Sequence, residues 1–501
     1  MTVTRRQLAQ SIAAAGLASC SRGARPNVVF FYADDLRATV LDLYNPGGVA
    51  MPNLRRLADT GTVFDHSYTP HPLCLPARVS LWTGRYSSTH GSRYNQKLMA
   101  EGTPNAAESF RNGGYEMGIF GKNHCFTAGQ LERWFQSDYS IGSAKWKAAI
   151  SPETARGMRE IGTWRKERGG GVAPPSAAPF SHELFPTHIA SQHAVDFISK
   201  QDGERPFFAW VSLVDPHTPT DVPEKFAGAL PPEPAKLPAY RDKTMAARNA
   251  RMRIYEYLIR GREIPDEYLA SYLRIYCGKT AFLDFELGRI LDTLEARGLR
   301  DNTIVVFASD NGDFAGEHHL MVKTGCLLDS MVRMPLVISW PGGAHAKGKR
   351  ENAFVNHVDL LPWLLSECGL PALTGVQSRP LPVTPDAPRR DFVYAEYGNG
   401  DPDYTWEEAR KVGPAKRLGD YALATPLELA HLERRERAGH LRMIRTHGHK
   451  LIADSNGDIE FYDLGRDPGE LENVHGQSAY AAEEARLRRI LDARPGSPEA
   501  M

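Results

Sequence analysis

The strongest constraint on this chain is a set of continuous apolar runs separated by helical patterns. Asn27 to Ala33 reads NVVFFYA, with no polar alternation after its first residue. A strand of that texture is buried on both faces, as in a parallel sheet covered by helices on each side. Comparable runs are Tyr115 to Phe120, Pro206 to Leu213, Thr303 to Ser309 and Pro335 to Trp340. Between them lie helical patterns: Pro104 to Arg111 before Gly113-Gly114, Glu267 to Arg297 before Gly298, and His357 to Glu367 before Gly369. Glycine just past the last helical residue is a stop signal. Strands alternating with helices predict an α/β fold with a mostly parallel central sheet flanked by helices.

Beyond Leu370 the texture changes. Arg442 to Thr446, His449 to Ala453 and Ile459 to Asp463 read as short strands, the last two joined through Asn456-Gly457. Asn-Gly between such runs is a hairpin signal. Residues 371–501 are therefore expected to form a smaller C-terminal α+β domain with an antiparallel sheet, after an α/β domain over 26–370. Two Pro-rich stretches, Gly169 to Pro179 and Thr218 to Tyr240, read as substrate-facing segments or as ordinary surface loops.

The N-terminus reads as an address. Arg5-Arg6 precedes a short apolar stretch, Ile12 to Ala18, the pattern of a twin-arginine export signal over residues 1–25. Leu17-Ala18-Ser19-Cys20 resembles a bacterial lipoprotein box, in which Cys20 would carry a lipid anchor. The expected location is exported, periplasmic or cell-surface, with the membrane reached only through that anchor. Lys+Arg and Asp+Glu are both 60, so no global positive field recommends a nucleic-acid partner. Six cysteines in 501 residues are too few for a disulfide framework.

Polar residues cluster where the apolar runs end. The first run ends in Asp34-Asp35, and the run near Phe120 leads to Lys122-Asn123-His124. The run near Leu213 leads to Asp215-Pro216-His217, and that near Phe307 to Ser309-Asp310-Asn311-Gly312. Open parallel sheets bind ligands outside the carboxyl ends of their strands. Asp34, Asp35, Asp310 and Asn311 offer only oxygen, which suits a hard divalent cation such as Ca²⁺ or Mg²⁺. Arg78, Lys122, His124, His217 and Lys323 are cations or proton carriers, which suit a tetrahedral oxyanion. A metal beside a cationic cage describes ester hydrolysis at sulfur or phosphorus. Taken singly, Asp-Asp and Asp-Asn-Gly are ordinary caps and turns.

Cys74-Leu75-Pro76-Ala77-Arg78 lies between the first and second runs. Pro76 fits the first turn of a helix. Cys74 would then precede a helix N-terminus, where a thiol pKa is lowered. It reads either as a small buried core residue or as a thiol nucleophile with a His partner.

Together with Leu81-Trp82-Thr83-Gly84-Arg85, this segment fits C-x-P-x-R…L-x-T-G-R and resembles the signature of type I sulfatases, in the alkaline phosphatase superfamily. PNVVFFYADD, GKNH, SDNGDFAGEHHLMVK with RMPLVISWPG, and RMIRTHGHKLI with EFYDLGRDPGELENV resemble further family motifs, in family order. The resemblance implies an alkaline phosphatase-like fold and oxidation of Cys74 to formylglycine by a formylglycine-generating enzyme. It implies Ca²⁺, with Mg²⁺ or Mn²⁺ as alternatives, held by Asp34, Asp35, Asp310, Asn311 and residue 74. Arg78 would hold the hydrated aldehyde, and Lys122, His124, His217 and Lys323 would contact the sulfate. One hydroxyl of the hydrate attacks sulfur, and His217 or Lys323 protonates the leaving alcohol. His124 then deprotonates the second hydroxyl, which expels sulfate. His318 is a further candidate proton donor.

The implied substrate is a small-molecule or carbohydrate sulfate ester. Ala77 stands where the commonest signature has Ser, and C-x-P-A-R also resembles phosphonate monoester and phosphodiester hydrolases. A catalytically silent binding protein is a third reading. Asn311 and Asp35 favour the sulfatase. The basic run Arg241, Lys243, Arg248, Arg251, Arg253, Arg260 and Arg262 suits a polyanionic glycan or a solvated helix face.

Overall fold

The computed structural model describes residues 25–169, 174–228, 248–343, 345–384, 386–415 and 426–494. The export signal and Cys20, Arg241 and Lys243, and most of the Pro-rich stretch from 218 to 240 lie outside these residues. Among these described residues fourteen strands follow in chain order. They are β1 (Asn27–Asp34), β2 (Gly61–Tyr68), β3 (Glu116–Gly121), β4 (Ser137–Ser140), β5 (Ser176–Ala178), β6 (Phe207–Pro216) and β7 (Asp221–Pro223). Then come β8 (Thr303–Ser309), β9 (Leu336–Ser339), β10 (Lys349–Asn356), β11 (Val393–Tyr397), β12 (Leu441–Arg445), β13 (His449–Ala453) and β14 (Ile459–Asp463).

Eight of them form the central sheet, in the order β10-β2-β9-β8-β1-β6-β3-β4. β1 lies at its middle, parallel to β6 and β8, in register Phe30↔Trp210 and Phe30↔Val306. Its side chains alternate between two cores. Val29 and Phe31 pack with Leu283 and Leu287 of the Asp266–Ala296 helix and with Ile198 of the Pro186–Ser199 helix. Val28, Phe30 and Tyr32 pack with Val79 and Trp82 of the Cys74–Thr83 helix and with Leu361 of the Leu360–Glu367 helix. Apolar side chains on both faces require helices on both faces, so the result is a three-layer α/β structure.

β9 departs from the parallel expectation for Pro335 to Trp340. It runs antiparallel to both neighbours, β2 and β8. Parallel neighbours need a crossover, whereas an antiparallel strand can begin at the edge where its predecessor ends. The segment 310–335 therefore stays at the carboxyl edge of β8 and carries Asn311 and Lys323 with it. β2, β4, β10 and β11 lack continuous apolar texture and were not legible as strands. In β2, Ser67 sits in the sheet because its hydroxyl meets His357 Nε2 at 3.0 Å.

The predicted short C-terminal strands form as β12, β13 and β14, and β11 completes an antiparallel sheet in the order β11-β12-β13-β14. Gly457, at φ +94°, makes the turn between β13 and β14. One face of this sheet packs under the Ala481–Asp492 helix through Ile444, Phe461 and Leu487. Its other face, including Met443 and Tyr462, joins the core of the central sheet.

Candidate active site

Four strand ends and one helix start converge. Asp34 closes β1, and Asp35 follows at φ +66°, a left-handed conformation that is uncommon for a non-glycine residue. Tyr276, from the long Asp266–Ala296 helix, holds this turn: its hydroxyl donates to the Asp35 carbonyl at 2.5 Å and accepts from Arg37 N at 3.2 Å. Asp310 and Asn311 follow β8, and Asp310 Oδ1 accepts from the backbone N–H groups of Asp35 and Asn311 at 3.1 and 2.8 Å.

Cys74 is the first residue of the Cys74–Thr83 helix, all ten residues of which are buried. Gly84, at φ +64°, ends the helix where a Cβ would meet Pro362 Cγ at 2.7 Å. Arg78 lies one turn after Cys74, on the same helix face. Its guanidinium is fully buried: Nε and Nη2 each lie 2.9 Å from Asp310 Oδ2, and Nη1 donates to Ser212 Oγ at 2.6 Å. Tyr32 and Trp210 rings flank it at 5.2 and 5.8 Å.

Two lysines close the site. Lys122 Nζ pairs with Asp34 Oδ2. Lys323 Nζ lies 2.7 Å from Asp35 Oδ1 and 2.6 Å from Cys74 Sγ. The thiol donates to Asp34 Oδ1 at 3.2 Å. His217 directs Nδ1 to the Thr218 carbonyl at 2.9 Å, which leaves Nε2 facing Asp35 Oδ2 at 3.8 Å. His124 stands at φ +54°, its Nδ1 buried without a partner among the described residues. Every sequence-predicted site residue thus reaches one edge, except His318. That ring accepts from Arg248 at 2.7 Å and is held away from the cluster.

The electrostatics follow from burial opposed by neighbouring charge. Burial raises Asp34, but Lys122, His217 and Lys323 overcome it and hold the carboxyl well below its usual range. Asp310 is pushed up to about 6 by burial and by Asp34. Burial disfavours the Lys323 ammonium, yet Asp35, Cys74 and Asp34 hold it well above the ordinary lysine value. Burial, Lys122 and Arg78 push His124 down to about 2, so its ring is neutral. The expectation of an acidified Cys74 thiol is corrected. Burial and the adjacent Asp34 raise its pKa well above the usual value, because they outweigh Lys122 and Lys323.

The cluster can hold a metal ion, with its carboxylate and amide oxygens as the hard donors. Asp34, Asp35, Cys74 and His217 each offer a ligand atom within 4.8 Å of the others. Asn311 Oδ1 is buried and has no hydrogen-bond partner, an acceptor that a metal would satisfy.

Comparison with known proteins agrees with this geometry. A family model described as Sulfatase matches residues 26–370. The chain belongs to the sulfatase family. It is an enzyme of sulfate-ester hydrolysis within the alkaline phosphatase superfamily. It is similar to an arylsulfatase of Clostridium perfringens, 24% identical over 93% of this chain and 94% of that one. An N-acetylglucosamine-6-O-sulfatase of Bacteroides thetaiotaomicron is 25% identical, over 96% and 89% of the two chains. A phosphonate monoester hydrolase of Agrobacterium radiobacter shares the fold, with a TM-score of 0.73 at 24% identity over 93% and 95%.

Several supports of this sulfatase's site escaped the sequence reading. Lys279, buried in the long helix, lies 3.0 Å from Asp215 Oδ1 and donates to the carbonyls of His217 and Pro219. Asn95 Oδ1 accepts from Leu75 N at 3.2 Å, capping the helix that carries Cys74. Glu436 fixes Asn95 by accepting from its Nδ2 and N at 2.8 and 3.0 Å. These residues carry no local signal, since their partners lie 20 to 341 positions away, beyond any helical or strand period. The basic run is divided: Arg248 is buried and Arg251 lies 3.0 Å from Asp454, whereas Arg253 and Arg262 are exposed, Arg262 lying 2.5 Å from Glu256 and Arg260 pairing with Glu263 at the surface.

Proposed function

We propose that this sulfatase uses formylglycine made from Cys74, with Ca²⁺ at Asp34, Asp35, Asp310, Asn311 and residue 74. The observation that carries the reading is the convergence on Cys74 Sγ of Lys323 Nζ at 2.6 Å and Asp34 Oδ1 at 3.2 Å, within a C-x-P-x-R segment. Bound at these oxygens, the cation supplies Lewis-acid stabilisation of charge on the transferred group. Hydrated formylglycine supplies the nucleophilic hydroxyl and a second hydroxyl for release of sulfate.

The remaining work falls to side chains in place. Arg78, locked between Asp310 and Ser212, orients residue 74. Lys122 and Lys323 present ammonium groups to the sulfate oxygens, where fixed charge lowers the barrier. Lys323 carries a proton that the leaving alcohol can take, while His217, its Nδ1–H on the Thr218 carbonyl, presents Nε2 as an acceptor. His124, neutral, accepts the proton of the second hydroxyl.

The test is a mass spectrum of the tryptic peptide Leu57 to Arg78 from protein made in its native host. An aldehyde at position 74 is expected, whereas an unmodified thiol in folded, active protein overturns the mechanism. Phosphonate monoester hydrolysis is the second reading, favoured by Ala77 in the signature. Parallel assays with 4-nitrophenyl sulfate and phenyl phenylphosphonate decide between them by kcat/KM. We also propose export through the twin-arginine signal. Arg5→Lys with Arg6→Lys should trap the enzyme in the cytoplasm, and unchanged export refutes this.

A further inference from the structure

The direction of the Cys74 side chain follows from the two peptide planes on either side of it. The plane before it is held inside the helix, where the Leu73 carbonyl accepts from Ala77 N at 3.1 Å. The plane after it carries the Leu75 N–H, in the first helical turn, where backbone donors have no helical acceptor. Asn95 Oδ1 takes that donor at 3.2 Å. A peptide unit is planar, so a hold on the Leu75 N–H is also a hold on the Cys74 carbonyl. With both planes fixed, the Cβ that bears the reacting group is aimed.

Asn95 lies in the loop after the Ser87–His90 helix, and its amide has an acceptor end and a donor end. Glu436, in the Pro426–Arg437 helix, sets which end faces Leu75. Its Oε1 accepts from Asn95 Nδ2 at 2.8 Å and its Oε2 from Asn95 N at 3.0 Å. A carboxylate only accepts, so the Asn95 nitrogen faces Glu436 and the oxygen is left for Leu75. Burial raises the Glu436 carboxyl, while the two Asn95 donors and Lys323 favour its ionised form. The helix that bears it is anchored in turn: Tyr397 of β11 donates to the Arg435 carbonyl at 3.0 Å.

Glu436, Asn95, Lys323 and His217 all line one cavity. A carboxylate so placed suggests substrate binding or proton transfer. Both Glu436 oxygens are occupied by Asn95, however, and the residue is 4% exposed.

We propose that Glu436 and Asn95 are positioning residues for sulfate-ester hydrolysis: Glu436 sets the Asn95 amide, Asn95 sets the peptide plane after residue 74, and the C-terminal helix thereby aims the nucleophile. Substrate binding is left to other groups, so the pair acts on kcat and not on KM. This inference rests on the reading of residue 74 as the nucleophile.

The test exchanges donor and acceptor across the pair. In Glu436→Gln the new amide meets an Asn95 donor with a donor, and in Asn95→Asp two carboxylates face each other. Each single variant should lower kcat for 4-nitrophenyl sulfate by about 10- to 100-fold, up to the loss from misplacing a reacting group by about 1 Å, while KM stays within about twofold. With both substitutions the pattern is restored. The amide at 436 donates to the carboxylate at 95 and accepts from the N–H of residue 95, and that carboxylate still accepts from Leu75 N. The double variant should turn over faster than either single variant and approach wild type. Rates are taken per molecule carrying the aldehyde at position 74, counted by mass spectrometry, so that incomplete oxidation is not mistaken for misplacement.

The proposal is overturned if both single variants keep kcat close to wild type, if the losses appear in KM with kcat unchanged, or if the double variant is no faster than the single ones. Where a single variant does not fold, the double variant carries the same decision, since it should fold and turn over. Should the wild type release sulfate with no aldehyde at position 74, the nucleophile reading fails first and takes this one with it.

Discussion

Lys323 Nζ bridges Asp35 Oδ1 at 2.7 Å and Cys74 Sγ at 2.6 Å, although Lys323 and Cys74 are 249 residues apart in sequence. Among the described residues it is the one cation within hydrogen-bond distance of both the Cys74 sulfur and a carboxylate of the cluster. Lys323→Ala should lower kcat by about 10²–10³-fold, the scale of losing one preorganised electrostatic group. Circular dichroism should show the fold retained. A kcat within threefold of wild type would remove Lys323 from the mechanism.

Asp310 balances the fully buried Arg78 guanidinium and borders the Asn311 oxygen that lacks a partner. Asp310→Ala should abolish both metal retention and turnover. It should also destabilise the fold by about 3–5 kcal/mol, because Arg78 would be left a buried, uncompensated charge. Elemental analysis after dialysis reads the metal, and urea titration reads the stability. Metal at wild-type occupancy would refute the ligand role.

Tyr276 tests the support beneath the site. Tyr276→Phe removes the donor to the Asp35 carbonyl and the acceptor for Arg37 N. A cost of about 1–3 kcal/mol in stability is expected from those unpaired groups. The left-handed Asp35 turn should relax and kcat should fall while KM for an aryl sulfate changes little. Equal losses in both parameters would point instead to general loosening of the pocket.

Acid should weaken the fold through buried histidines away from the metal-type cluster. Burial pushes His71, His90 and His357 each down to about 3. Below about pH 6.5 the unfolded chain binds protons that the native state refuses, so stability falls with decreasing pH until about pH 3. Each such histidine contributes a slope of up to about 1.4 kcal/mol per pH unit. His357→Gln should make the urea midpoint less steeply pH-dependent between pH 6 and 4. An unchanged slope would contradict the burial argument.

Much of this was legible in the chain itself because strands buried on both faces must be continuously apolar. NVVFFYA announced β1 at the centre of the sheet, and the polar residues just past the runs announced its functional edge. The C-x-P-x-R segment announced a helix start with Cys74 and Arg78 one turn apart, since proline suits the first turn and residues four apart share a helix face. Mixed strands such as β2 could not be read this way, because their polar side chains are satisfied by partners distant in sequence. The antiparallel course of β9 was equally hidden, as strand direction depends on the path of the connection.

What the sequence alone determined, then, was the layer architecture, the placing of Cys74 at a helix start and the kinds of group at the strand ends. These are local properties: apolar period, turn position, residue chemistry. Only the tertiary structure decided the high pKa of the Cys74 thiol, the withdrawal of His318 onto Arg248, the Asn95–Glu436 brace and the Asn311 oxygen left without a hydrogen-bond partner. Each depends on which distant groups share a desolvated space, and in such a space proximity and burial, not residue type, set the charge and the unmet hydrogen bonds.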